Sequence, residues 1–184
     1  RDVPFVRLLL LLSFTMVPSG IAMFVFGFRW WHAALHDVGV AWFMGPYILM
    51  LHNTSHRKLF NKKWARLNHY IPWFLGPFFG ETPDTYFAHH VGMHHPENNL
   101  ADDVSTTLRY RRDSVWGFTR YFSRFFFGVI FELPRYFVRK NRKSLAVKAV
   151  AGELIYFAIV IPLAYFVDWR AALAVFIGPY LLTR

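Results

Sequence analysis

The amino-acid sequence predicts an all-α integral membrane protein, in which two transmembrane helical hairpins flank a cytoplasmic, histidine-rich region. Long apolar runs occupy both ends of the chain, and 55% of its 184 residues are hydrophobic. Of the 21 Lys and Arg residues, 16 lie from Arg57 to Lys148, in the segment between those apolar ends. This distribution is the positive-inside pattern of a cytoplasmic loop. Four of the nine histidines fall within residues 89–95 of the same loop.

Apolar length defines the predicted spans. A helix needs about 20 apolar residues to cross the roughly 30 Å hydrocarbon core of a bilayer. The predicted spans are residues 8–28, 33–51, 146–167 and 171–184. Residues 1–184 are predicted to form one membrane domain. Because the chain begins without Met and stops inside an apolar run, we expect it to be an incomplete fragment.

The first outer connection is predicted from polar residues and tryptophans. Residues 29–37 are expected to form a short polar turn, after a span that is kinked at Pro18 and Gly20. The turn holds one H-x-x-x-H pair, His32 and His36, beside two tryptophans. Tryptophans are typical of a membrane interface, so we expect this pair to be interfacial rather than metal-binding.

The loop between the hairpins is predicted to contain three elements. Residues 70–80 are too short and too rich in Pro and Gly to span, and they predict a re-entrant or interfacial segment. A helix is expected to start at residues 82–84 and to end at His95, because Pro96 disfavours helical geometry in the residue before it. Residues 116–136 combine aromatic residues with arginines and predict an amphipathic helix on an anionic membrane face.

Histidine spacing places several imidazoles on common helix faces. Neutral imidazole is the commonest metal ligand, and residues four apart lie on one face of a helix. His52 and His56 form one such pair, and His90 and His94 form another. His95 is rotated by about 100° from its neighbour, so the adjacent imidazoles can reach two different metal ions. The pattern therefore predicts metal binding.

The residues after this cluster are acidic and rich in amides. Carboxylates and amide oxygens can hold the N–H groups of metal-binding imidazoles in place. A solvated loop explains the same composition equally well. The candidates are Glu97, Asn98, Asn99, Asp102 and Asp103.

Composition narrows the function classes further. The absence of cysteine excludes thiolate zinc sites, iron–sulfur clusters and disulfides. The H-x-x-x-H pairs lack the glutamate of the zinc-protease motif, whereas imidazole also suits iron, copper and nickel. A formal charge of +10 can indicate nucleic-acid binding. Because most of this charge lies between apolar runs, we instead expect membrane lipids as partners and no nucleic acid.

At these motifs the sequence resembles the integral-membrane fatty acid desaturase and hydroxylase family, which carries three histidine boxes. His52-x-x-x-His56 is similar to the first box, and His90-x-x-x-His94-His95 is similar to the second. The runs LMLHNTSH and GMHHPENN look most like the fatty acid desaturase branch. By this resemblance, these five histidines would be iron ligands.

The resemblance implies an oxidoreductase that introduces a double bond into a fatty acyl chain, which is carried on a lipid or a thioester. It implies two iron ions as cofactor, O₂ as co-substrate, and an electron donor that is ferredoxin or a small haem cytochrome. The histidine boxes would lie on the cytoplasmic side of a multi-pass membrane protein. His89, which can also begin the second box, would support the ligands rather than bind iron.

The third box of the family, H/Q-x(2–3)-H-H, does not occur in these 184 residues. We therefore expect the fold to be truncated before that box and to be inactive by itself. A lipid or alkane hydroxylase or a ketolase with the same di-iron centre is an alternative. A non-catalytic membrane metal-binding relative and a haem-binding electron carrier are alternatives of other classes.

Overall fold

The computed structural model describes residues 2–183, and every regular element within that range is helical, with no strand. The all-α fold class is therefore confirmed. The chain forms two compact units, residues 2–83 with 155–183 (unit 1) and Asp84–Leu154 (unit 2). In chain order the main helices are α1 (Val3–Phe14), α2 (Met16–Val25), α3 (Trp30–His56), α4 (residues 85–97), α5 (Val115–Arg139), α6 (Lys143–Val167) and α7 (Trp169–Thr183).

Within residues 2–183, three helical segments are long and apolar enough to cross a membrane. They are α1 together with α2, then α3, and α6. Large apolar side chains are exposed along them, and Phe14, Trp42 and Phe166 are 77%, 78% and 79% exposed. Exposing apolar side chains to water costs free energy, whereas exposing them to lipid tails does not. These helices therefore have the character of membrane spans. α7 is also apolar but shorter.

The first span is interrupted at Thr15, which differs from the predicted kink at Pro18 and Gly20. Pro18 explains why the interruption lies before it. A proline has no N–H for the carbonyl four residues earlier, and its ring clashes with that carbonyl. Here that carbonyl belongs to Phe14, so α1 ends at Phe14 and Pro18 becomes the third residue of α2.

The predicted polar turn over residues 29–37 is wrong, because α3 begins at Trp30. Arg29 is its N-cap, with an extended backbone. Only residues 26–29 therefore connect α2 to α3.

The polar residues at the start of α3 bind the preceding helix. Ser19 Oγ of α2 lies 3.0 Å from Nε2 of His32 and 3.1 Å from Nδ1 of His36. One hydroxyl thus bridges both imidazoles of the first H-x-x-x-H pair. The contact joins two helices, which gives this pair a role in packing.

Unit 1 has a tight aromatic contact between α3 and the segment of residues 71–80. The ring of Tyr47 stacks on Phe79, with centroids 4.4 Å apart and an interplanar angle of 11°. Next to this stack, Gly80 has a φ of +76°, and a Cβ built on it would lie 2.2 Å from the backbone of Pro179. Only glycine fits this close approach of two backbones. The segment is helical over residues 71–78, and its re-entrant or interfacial position stays a prediction.

Unit 2 packs α4, α5 and the first turns of α6 around one apolar core. The predicted helix over residues 116–136 is confirmed as α5, with slightly wider bounds. The core consists of Ala88, Met93, Val129, Leu133, Tyr136, Phe137, Ala146 and Ala149.

The bounds predicted for α4 are wrong at both ends. The helix begins at Thr85, because Asp84, predicted to lie in its first turn, has a left-handed backbone with a φ of 59°. It continues through Pro96 to Glu97 instead of ending at His95. The second difference has a physical cause in the backbone of the histidine cluster, described below.

We predict that Gly80→Ala destabilises the protein, whereas Gly45→Ala does not. Alanine at position 80 must adopt a left-handed backbone, which costs about 1–2 kcal/mol, and must also displace the backbone at Pro179. Position 45 lies inside α3 with nothing within 4 Å of a new Cβ, and alanine is there favoured by about 0.5–1 kcal/mol. Thermal unfolding in detergent should show a lower Tm for Gly80→Ala alone. Equal Tm values for the two variants would contradict the described contact.

Candidate metal centre

The first histidine pair lies in the last turn of α3, in unit 1. His52 and His56 are one helical turn apart, and their ring centroids are 5.0 Å apart. The side chains of the three residues between them bond back to carbonyl oxygens of the preceding turn, so these polar groups are satisfied within the helix. The end of a helix carries the negative pole of its dipole, which favours a bound cation.

The second histidine group lies on α4, in unit 2, where the backbone is wider than an α-helix. Ala88–His94 is π-helical, and the N–H of His95 donates to the carbonyl of His90, five residues back. Residues five apart therefore face each other, and the Nε2 atoms of His90 and His95 lie 2.9 Å apart. The predicted pair, His90 and His94, remain neighbours with ring centroids 5.9 Å apart. The closest nitrogens, however, belong to a pair that α-helical spacing does not select.

The 2.9 Å separation of these two nitrogens suits a shared cation. Ring nitrogens that bind one metal at about 2.1 Å, with a right angle between them, are about 3.0 Å apart. Without a cation, one ring has to donate its N–H to the other. The ring of Tyr86 stacks on His90 with centroids 5.2 Å apart, which restricts the orientation of that imidazole.

A side-chain hydrogen bond supports the continuation of α4 through Pro96. Proline has no N–H for the carbonyl four residues earlier, which belongs to Gly92. The Gly92 carbonyl instead accepts a hydrogen bond from Arg142 Nη1 at 2.7 Å. Glycine is also the only residue type that fits at position 92 without an adjustment of its neighbours, because a Cβ there would lie 2.9 Å from Leu145 Cδ1. A side chain from the connection between α5 and α6 thus replaces the backbone donor that proline lacks.

Asp103 holds the imidazole of His94. Its side chain is fully buried, and its Oδ2 lies 2.7 Å from His94 Nδ1. The same carboxylate accepts hydrogen bonds from the backbone N–H of Asn99 and from Ser105. Burial alone would raise the pKa of Asp103, but the hydrogen bonds from Ser105, His94 and Asn99 outweigh it and lower that pKa. An ionised Asp103 keeps the proton on His94 Nδ1 and leaves Nε2 as the atom that can bind a metal.

Glu97 is bound by the end of α5. Its Oε1 accepts a hydrogen bond from Tyr136 Oη at 2.5 Å and lies 3.0 Å from Lys140 Nζ. Hydrogen bonds from Tyr136 and Lys140 lower the pKa of Glu97. Burial and the Glu97 carboxylate raise the pKa of Tyr136 to about 12. The hydrogen bond from the protonated phenol of Tyr136 to the ionised carboxylate of Glu97 thus connects the last turn of α4 to α5.

The remaining candidates surround the cluster. Asn98 and Asn99 end α4 with positive φ values of 47° and 62°, a backbone that asparagine tolerates better than most residues. His89 is half-buried, and its ring centroid is 5.5 Å from that of Phe125 and 6.2 Å from that of His94. Their role in supporting a metal stays a prediction, as does the ligand set itself.

Two residues of this site have no signal in the local sequence. Arg142 lies 50 positions after Gly92, and Tyr136 lies 39 positions after Glu97. Both become neighbours of the histidine helix only because α5 and α6 fold back on it. Composition alone makes Asp103 one of five candidates, and the structure shows that it contacts His94.

Both groups of histidines offer imidazole nitrogens, and the second group adds a buried carboxylate that orients one of them. Such donors suit iron, copper, nickel or zinc. Orientation of an imidazole by a carboxylate is typical of metal-binding histidine. The residues present therefore fit a metal centre.

Comparison with known proteins gives one match. A family model described as fatty acid desaturase matches residues 28–183, which include all five candidate ligands. No curated protein and no solved structure matches the chain.

We predict that Asp103→Asn weakens metal binding by about 10–100-fold, the usual effect of losing a group that orients a ligand. The amide cannot hold His94 in a single tautomer as an ionised carboxylate does. Asp113→Asn serves as the control, since its exposed carboxylate contacts only Arg111 among the described residues. Titration of Co²⁺ followed by its visible absorption measures the affinity. Equal affinities of both variants would contradict the role given to Asp103.

Proposed function

Since the chain belongs to the fatty acid desaturase family, we propose that it is a membrane-bound, O₂-dependent di-iron oxidoreductase that introduces a double bond into a fatty acyl chain. The observation that carries this proposal is the family match, because the matched residues 28–183 include both histidine groups. The imidazole donors and the apolar helices of the protein are in keeping with it.

The proposed iron ligands are His52, His56, His90, His94 and His95. A third histidine box, outside these 184 residues, would complete the set. Iron held by these histidines and reduced by an external donor would activate O₂, which is the oxidant needed to remove hydrogen from an unactivated methylene group. The two groups of histidines are proposed to bind iron together, which the variants below test.

The residues around the ligands act by holding them in place. Asp103 retains the proton on His94 Nδ1, so that the opposite nitrogen is available to iron. Arg142 supports the wide turn that brings His90 and His95 together. Such preorganisation avoids rearrangement of the ligands during the reaction.

The proposed reaction balances with the co-reactants that the family resemblance implies. Two hydrogen atoms leave adjacent carbons of the acyl chain, and the C–C bond becomes a double bond. These two hydrogens, two electrons from ferredoxin or a small haem cytochrome, and two protons reduce O₂ to two molecules of water. The substrate is proposed to be a fatty acyl lipid or thioester that enters from the membrane.

The proposed topology is multi-pass, with the histidine groups on the cytoplasmic side. Of 21 Lys and Arg residues, 16 lie between Arg57 and Lys148, as the positive-inside rule expects of a cytoplasmic segment. The electron donor, ferredoxin or a small haem cytochrome, would act on the same side of the membrane.

We predict that His94→Ala, in a chain that includes the third box, abolishes both iron loading and formation of the double bond. His69→Ala is the matched control, because it removes an exposed histidine outside both groups and should leave both properties unchanged. Iron is measured by elemental analysis, and products by mass spectrometry of the acyl chains. Retention of the double bond in His94→Ala would refute the ligand assignment.

The products separate the competing functions. A hydroxyl group in place of the double bond would establish a hydroxylase with the same centre. Iron binding without any product from the protein, supplied with an electron donor and acyl lipids, would favour a non-catalytic relative. If the two groups share one centre, His52→Ala lowers the iron content as far as His94→Ala does.

A further inference from the structure

Helix α5 has a second apolar face, opposite the one that packs in unit 2. Its inner face contributes Val129, Leu133, Tyr136 and Phe137 to the core. On the outer face Trp116, Phe127 and Phe131 are 78%, 70% and 63% exposed. Ile130 and Val138 are also exposed apolar residues of this face.

The outer face forms an apolar stripe over the second half of the helix, from Phe127 to Val138. At 100° per residue, the five exposed side chains named above fall within an arc of about 100°, which Arg120 interrupts between Trp116 and Phe127. The exposed rings of Phe118 and Phe122 lie outside this arc. The arc has the width of the apolar stripe with which an amphipathic helix contacts its partner. Such a stripe on a protein surface marks an interaction site rather than ordinary exposure. Here we define the outer stripe of α5 as Trp116, Phe127, Ile130, Phe131 and Val138.

Arginines lie within and beside this stripe. α5 contains four arginines and one glutamate, which makes a net charge of 4 − 1 = +3. Arg124 pairs with Glu132 at 3.1 Å. Arg120 and Arg135 are exposed and form no ion pair with any residue of the range 2–183. They lie within or next to the outer stripe on the helical wheel, so the surface is apolar and cationic at once.

The chain connection places the end of α5 beside a membrane span. Only residues 140–142 separate α5 from α6, which is long and apolar enough to cross a bilayer. Arg139, Lys140, Arg142 and Lys143 make this junction strongly basic. Basic residues next to a span are attracted to anionic lipid headgroups. α5 itself carries too many arginines to cross the hydrocarbon core.

We propose that the outer stripe of α5 lies in the interface of an anionic lipid leaflet, with its apolar side chains among the acyl chains and Arg120 and Arg135 at the lipid phosphates. The partner is a lipid surface, since it alone matches an apolar stripe, unpaired arginines and a covalently adjacent span. α4 and α5 share the core of unit 2 and are joined by the Tyr136–Glu97 hydrogen bond. The position of α5 in the lipid interface therefore also holds the histidine helix α4 at the membrane surface. The proposal does not depend on the reaction that the histidines perform.

The absence of cysteine from the chain permits a direct test. Single variants Phe127→Cys and Phe131→Cys each carry one nitroxide label on the outer stripe. Asp113→Cys, at a side chain that is 75% exposed before the helix starts, is the control. The full protein is reconstituted in nanodiscs of phosphatidylcholine, with or without phosphatidylglycerol. Collision of the label with O₂ and with a water-soluble nickel chelate then reports its depth.

We expect labels at positions 127 and 131 to favour O₂ over nickel and to lie about 5–10 Å into the boundary of headgroups and acyl chains. The label at position 113 should remain accessible to nickel. Phosphatidylglycerol should deepen both stripe labels, and this gain should disappear in high salt and in the Arg120→Gln/Arg135→Gln background. Circular dichroism and Tm of each variant verify the fold.

Three results would overturn the proposal. Nickel accessibility at positions 127 and 131 equal to that at position 113 would show that the stripe faces water. Protection from both reagents would show that another protein segment or a second copy covers it. Equal depth with and without phosphatidylglycerol would show that the arginines do not select anionic lipid.

Discussion

The histidine cluster depends on one replaced hydrogen bond. Pro96 follows the last two histidines and leaves the Gly92 carbonyl without its helical donor, and Arg142 supplies that donor at 2.7 Å. A buried carbonyl without a partner would cost about 1–3 kcal/mol, which an ordinary helix would avoid by ending at His95. The charged donor removes this cost. The helix can therefore continue in a wide π-helical form that brings His90 and His95 together, in keeping with the frequent occurrence of such turns at functional sites.

The same region is stabilised mainly by groups from α5 and from the short connection between α5 and α6. Tyr136 and Lys140 hold Glu97, Arg142 holds Gly92, and the apolar core lies beneath them. The loop that directly follows α4 adds Asp103 and Ser105, which both contact His94. The orientation of the imidazoles on α4 thus follows from the packing of unit 2, and a change in α5 can alter that orientation without replacing a histidine.

Much of this fold could be predicted from apolar length and histidine spacing. The spans and α5 follow from composition, because a helix buried in lipid or lying on it leaves a long apolar signal. The extent of α3 could not be predicted, since Ser19 satisfies His32 and His36 from a neighbouring helix and a polar stretch then need not be a turn. The pairing of His90 with His95 could not be predicted for a similar reason. α-Helical spacing assumes a regular backbone, whereas the turn here is wider, and it is supported by Arg142, which lies 50 positions after Gly92 in the sequence.

We propose that both histidine groups hold one di-iron centre, and Mössbauer spectroscopy of the protein, expressed with isotopically enriched iron and with the third histidine box, tests this proposal. We expect two iron ions per chain with the spectrum of a coupled pair, and the loss of both ions when either His52 or His94 is replaced by alanine. A single uncoupled iron, or a protein that retains one iron in each variant, would contradict it.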